Sequence, residues 1–237
     1  MTECRIKEYC IENNEILLFV DEMNTYLQSI FELNVKQLAT SDSLKLVSLL
    51  IVSYLKDLNE CNICFKAGLL NSVPLLLKKI IETWRYIIYY YNNKEEAKLL
   101  YCNDLKYEKP RSKKLSSAVD SYIKDFSIHL FENDNELFYR DFIRKYYEVL
   151  CAFSHLDILA LKVSVLDSEA KINFYINAHK EMLNRFLTTT IILQRLMFEL
   201  YANILKIEDI QFMDNYKLCI LNLNKINDAR LSLEKLN

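Results

Sequence analysis

Lys78, Glu82, Arg85 and Tyr89 step by four, three and four residues, the spacing that lines side chains along one edge of a helix. In such a row Glu82 can pair with either Lys78 or Arg85. A second row, Arg144, Glu148, Cys151 and His155, repeats the steps and ends on a histidine, whose ordinary titration lies near neutrality. Cations that hold an anion, a carboxylate that orients them and an imidazole that moves a proton are the makings of acid–base chemistry. The same residues also suit a salt-bridged helix edge and a half-exposed histidine near a helix end, so both readings stand at this point.

Other residue groups carry weaker signals. Cys61-Asn62-Ile63-Cys64 is a CxxC within a helical stretch, without the further ligands that zinc needs, and reads as packing. Lys106, Lys109, Arg111, Lys113 and Lys114 gather five cations in nine positions, with Tyr107 among them. They suit phosphate contacts with base stacking, or a solvated linker beside Pro110. Glu132, Asp134 and Glu136 lack the glycine and the spacing of a calcium loop, and His129 and His179 have no evident partners. Sixteen tyrosines suit either an association surface or the periphery of a bundle.

The elements that position these rows are helices. A single glycine, Gly68, and two prolines leave almost none of the φ > 0 and turn positions that hairpins need. They also exclude the glycine-rich dinucleotide, P-loop and nucleophile-elbow signatures. Apolar residues at three- and four-residue steps predict a first helix over 3–33. Ser41-Asp42-Ser43 offers caps for a second over 44–65, closed by Gly68 in the left-handed region. Ser72 is expected to cap a third helix to Tyr91, with Pro74 tolerated in its first turn and Leu77, Ile80, Ile81, Trp84, Ile87, Ile88 and Tyr91 as its core stripe. Further helices are expected over 94–107, 112–126, 136–155, from the cap Asn177 to Leu205, and over 214–235. Alternation over 162–166 and 171–176 predicts a minor hairpin. The expected fold is all-α: a single helical bundle of six to eight helices, with a minor β-hairpin near residues 162–176, in one domain over 1–237.

Charge and cysteine usage narrow the setting. Thirty basic against 32 acidic residues give a net charge of −2, so any polyanion site has to be local. Seven scattered cysteines suit a reducing compartment. The start, MTECRIKEYC, does not have the layout of a secretory signal, and no apolar run approaches the ~18 residues of a membrane span. A cytoplasmic protein without a membrane role is expected.

The segment SVPLLLKKIIETWRYIIYYYNNKEEAKLLY resembles the early signature of a family of uncharacterised bacterial helical proteins, with Lys78 and Glu82 at the matching positions. YYEVLCAFSHLDILAL is similar to that family's second signature, through Tyr146 or Tyr147 with Ser154 and His155. Together they cover about a third of the chain. That family resembles, more distantly, the HEPN superfamily of helical bundles, whose active members are dimeric, metal-independent ribonucleases, toxins and defence effectors.

The resemblance implies a base for the 2′-hydroxyl proton and a cation for the phosphorane-like charge. His155 is then the base; Lys78, Arg85, or Arg144 from a second subunit is the cation, and Glu82 orients one of them. The chain departs from the HEPN motif, in which arginine precedes histidine by four to six residues. Arg144 and His155 are eleven apart, roughly 16 Å along a helix. The expected function is action on RNA, in a toxin or phage-defence role. The alternative is a non-catalytic helical interaction protein, a regulatory or immunity partner. A homodimer or a helical protein partner is expected, RNA is a candidate ligand, and no cofactor is called for.

Overall fold

The computed structural model describes residues 2–103, 108–130, 147–148, 150–151, 180–207 and 209–234. Among these are eight helices and no strand: α1 (Thr2–Glu12), α2 (Asn14–Leu38), α3 (Asp42–Lys66), α4 (Ser72–Asn92), α5 (Lys94–Tyr101), α6 (Ser112–Leu130), α7 (Lys180–Leu205) and α8 (Ile210–Glu234). The all-α class follows, and one continuous apolar core takes residues from all eight. The expected hairpin near 162–176, the loop 132–135, the cap Asn177 and most of the expected helix 136–155 lie outside the described residues. Tyr147, Glu148, Leu150 and Cys151 of that last stretch are helical.

The local chemistry explains where the helices stop. The expected first helix is divided at Asn13, whose side-chain amide donates to the Tyr9 carbonyl at 2.9 Å while its own backbone sits at φ −111°, ψ 22°. Asparagine competes with the helical ladder in this way, and periodicity alone does not register it. Ser41 caps α3 as expected, extended in backbone and accepting from the Leu44 N–H at 3.3 Å.

Gly68 closes α3 at φ 76°, its N–H bonded to the Phe65 carbonyl and that of Leu69 to the Cys64 carbonyl. That pair of bonds is a Schellman motif, which needs the left-handed residue that glycine supplies. Ser72, by contrast, is the first residue of α4 and not its cap, and Asn71 before it makes no side-chain cap bond. α5 ends at Tyr101, short of the expected Tyr107, because Asn103 takes φ 54°. Asparagine is the commonest non-glycine residue there, so the stop carries no glycine to announce it. α8 begins at Ile210, four residues before the expected start, where the Asp209 carboxylate accepts from the Phe212 N–H at 2.9 Å.

Short connections fold α2, α3 and α4 into successive antiparallel neighbours, with Asp57 of α3 facing Lys79 of α4 and Asp21 of α2 facing Lys66 of α3. α2 and α7 instead run parallel. Tyr9 bonds Asn184, the Val20 carbonyl bonds Gln194, and the Leu27 carbonyl bonds Tyr201, pairs separated by 175, 174 and 174 residues. The offset is constant over the two turns of α2 from Val20 to Leu27 and is continued by Tyr9 of α1, so α2 and α7 keep register with little drift, as knobs-into-holes neighbours do.

Six of the seven predicted α4 core residues, from Leu77 to Ile88, are buried, and Tyr91 is half-buried. The tyrosines serve this core more than the surface reading expects: Tyr9, Tyr54, Tyr89, Tyr90, Tyr122, Tyr201 and Tyr216 are buried. Acceptors on neighbouring helices offset the burial: Tyr9, Tyr89 and Tyr216 donate to the side chains of Asn184, Glu96 and Glu199, and two others reach backbone carbonyls. Tyr54 donates to Leu193 at 2.7 Å and Tyr201 to Leu27 at 3.1 Å, so the rings bury area without orphaning the hydroxyls.

Candidate functional site

The polar edge of α4 exists, and most of it faces protein. Arg85 and Tyr89 are buried, Lys78 and Glu82 only partly so. The Arg85 guanidinium donates to the Ser116 hydroxyl at 2.9 Å and to the Ser112 carbonyl at 3.4 Å, which fastens the first turn of α6 onto α4. The Tyr89 hydroxyl donates to Glu96 at 2.7 Å, and Glu96 lies 3.6 Å from Lys114 Nζ. The lower half of the row therefore joins α4 to α5 and α6.

The upper half meets the second signature segment. The Tyr147 hydroxyl donates to Glu82 Oε1 at 2.7 Å, and its ring covers the Arg85 guanidinium at 5.0 Å. Lys78 Nζ lies 3.9 Å from the same Glu82 oxygen, one helical turn away. Glu82 thus accepts a hydrogen bond from Tyr147 and is ion-paired with Lys78, and Tyr147 touches two members of the α4 row. Burial, then the bonds to Glu82 and to Cys151, push the Tyr147 hydroxyl above the ordinary phenol range. A phenolate beside a carboxylate is disfavoured, so Tyr147 holds its proton and works as a donor.

Of the candidate residues, Lys78, Glu82 and Arg85 share this face. His155 and Arg144 lie outside the described residues, as do Tyr146 and Ser154. What the face offers chemically is a half-exposed carboxylate, held by a phenol and flanked by an ammonium, with a guanidinium beneath the phenol ring. Ser112, Ser116 and Glu96 complete the constellation. No spacing rule reveals them, because they join α4 only through the way α5 and α6 pack.

A second polar group was legible and was missed. Arg195 and Glu199, four apart in the apolar run 191–201, are both buried in α7. Arg195 Nε lies 3.4 Å from Glu199 Oε1 and donates to the Tyr216 hydroxyl of α8 at 3.0 Å, and its guanidinium stacks on the Tyr216 ring at 5.1 Å. A charge pair at helical spacing inside a predominantly apolar run is the signal that would have found it.

The CxxC behaves as packing. Burial pushes the Cys61 thiol up to about 12, and Cys64 is half-buried. Among the described residues no three His, Cys, Asp or Glu side chains stand where they would hold a metal ion. No described helix is long and apolar enough to cross a membrane. The chain matches no protein-family model, no curated protein and no solved structure.

Proposed function

We propose that this chain is a cytoplasmic, HEPN-like helical protein that acts on RNA through the α4 face, as a metal-independent ribonuclease in a toxin or phage-defence setting. The observation that supports this reading is the Tyr147 hydroxyl on Glu82: two segments that carry the family resemblance, far apart in sequence, meet through their polar side chains. A contact that served packing alone would more simply be apolar, since a buried or half-buried carboxylate needs donors to offset its lost hydration.

In this reading His155 removes the proton of a 2′-hydroxyl, whose oxygen attacks the neighbouring phosphorus. The 5′-oxygen leaves with a proton returned from the imidazolium, and a 2′,3′-cyclic phosphate remains. Lys78 stabilises the charge that gathers on the phosphoryl oxygens. Glu82, held by Tyr147, orients Lys78. Arg85, already bonded to Ser112, Ser116 and the Tyr147 ring, is a positioning residue in this scheme and not the cation. Arg144 is a cation offered to the site by a second subunit.

A specific observation favours the alternative, a non-catalytic interaction protein: half of the α4 row is spent on joining helices. The two readings part in one assay. Purified protein is incubated with total bacterial RNA in chelator, beside His155→Ala and Glu82→Gln. Cleavage by the wild type and loss in His155→Ala supports the ribonuclease. Intact RNA with the wild type removes it and leaves the interaction protein.

A further inference from the structure

We infer that the exposed basic run Lys109, Arg111, Lys113 and Lys114, which leads into α6, is a backbone-binding track for single-stranded RNA that passes the Glu82–Tyr147 contact; the inference rests on the RNA reading above. These four cations fall within six positions of a chain whose net charge is −2, and all four are exposed. The carboxylates beside them are Glu108, also exposed, and Glu96, which lies against Lys114. The first turn of α6 holds no acidic residue. Cations crowded at the positive end of a helix oppose its dipole and repel one another, an effect that Glu96 offsets at Lys114 and that a bound anion would offset along the rest of the run.

The placement of the run is the stronger argument. Arg85 donates to Ser112 and Ser116, inside and just after the basic run, and the same guanidinium lies under the ring of Tyr147. One buried residue therefore holds the track and the candidate site side by side. Lys109 Nζ stands 5.4 Å from the ring of half-buried Tyr86, which is backed from the core by buried Tyr90 at 5.9 Å, so one ring borders the cations. Cations with neighbouring rings are the combination that single strands require, the phosphates taking the charge and a base taking a ring face. Six residues extend at most ~20 Å. That length suits a few nucleotides and falls short of the ~16 base pairs over which duplex RNA is read by shape.

The test is binding of a fluorescein-labelled oligouridine, followed by anisotropy over a salt series, for wild type, Arg111→Gln/Lys113→Gln and the charge-keeping Arg111→Lys/Lys113→Arg. Lys114 is left in place to preserve its contact with Glu96, and circular dichroism verifies that the helical content is retained. Two lost phosphate contacts should reduce the slope of log K against log salt by about 1.4 and weaken binding at low salt on the order of tenfold, with the charge-keeping variant like wild type. Wild-type binding that the glutamine variant matches in affinity and slope overturns the track and leaves the RNA reading standing. A wild type that neither binds oligouridine nor cleaves total RNA overturns both.

Discussion

The hydroxyl of Tyr147 donates to Oε1 of Glu82 at 2.7 Å across 65 residues of sequence, and its ring shields Arg85 from solvent on the same face of α4. The segment that contains Tyr147 is thereby tied to the helix that carries Lys78, and the tie is polar. A polar tie is directional, so it specifies where that segment sits as well as holding it.

Removing either end should reveal the tie. Tyr147→Phe keeps the ring over Arg85 and loses only the hydroxyl, and urea unfolding should show a loss of about 1 kcal/mol, given the partial exposure of Glu82. Glu82→Gln in the same background should cost less than it does alone. Additive losses in the double variant would mean that the contact contributes nothing of its own.

The Arg195–Glu199 pair should behave as buried charges do. Both side chains are at most 6% exposed, so either partner left alone is an uncompensated charge in the core. Arg195→Met or Glu199→Leu singly should cost about 3–5 kcal/mol, and the two together markedly less than their sum. Denaturant midpoints of the three variants decide this. A loss in Arg195→Met with none in Glu199→Leu would show that the Tyr216 stacking, and not the charge pair, carries the effect.

Gly68 is required by its backbone angle. At φ 76° a β-carbon crowds the backbone, so Gly68→Ala should destabilise by roughly 1 kcal/mol, and Gly68→Asn by less. A thermal midpoint unchanged by Gly68→Ala would mean that the end of α3 rearranges without cost.

Stability should fall on the alkaline side. The hydroxyls of Tyr54, Tyr122, Tyr201 and Tyr216 are raised above 10.0, chiefly by burial, and burial lifts the Cys61 and Cys219 thiols from 9.0 to about 12. The folded state therefore holds protons that the unfolded chain releases. Their contribution is whole below about pH 9 and declines as pH rises past 9 for the thiols and past 10 for the phenols, by up to ~1.4 kcal/mol per pH unit for each group. Unfolding free energies measured against pH, with tyrosinate absorbance alongside, should show this decline. A flat profile to pH 11 would contradict the burial of these groups.

Thiol labelling should rank the cysteines by exposure. Cys102 is exposed on the surface, whereas Cys61 and Cys219 are buried with raised thiols. A thiol reagent at neutral pH followed by peptide mass analysis should modify Cys102 at once and the other two only in denaturant. Early modification of Cys61 would mean that α3 opens from the core.

Much of this molecule was legible in its residues because the relevant physics is local. One glycine and two prolines exclude most turns, apolar side chains at three- and four-residue steps place α2, α3, α4 and α7, and the cap at Ser41 and the stop at Gly68 depend on one or two residues each. The polar row Lys78, Glu82, Arg85, Tyr89 is likewise a consequence of helical spacing. Where asparagine did a glycine's work at Asn103, or broke a ladder at Asn13, the same local physics applied but the residue type was ambiguous. What the row is for depended on partners dozens of residues away. Spacing allowed Glu82 to face solvent, Lys78 or Arg85, and packing brought it Tyr147. Spacing left Arg85 as a partner for Glu82 or a cation for an anion, and packing turned it to Ser112 and Ser116. The parallel run of α2 with α7 and the burial of Arg195 with Glu199 are decided in the same way, because which faces meet is set by the summed fit of all the helices and not by any one segment.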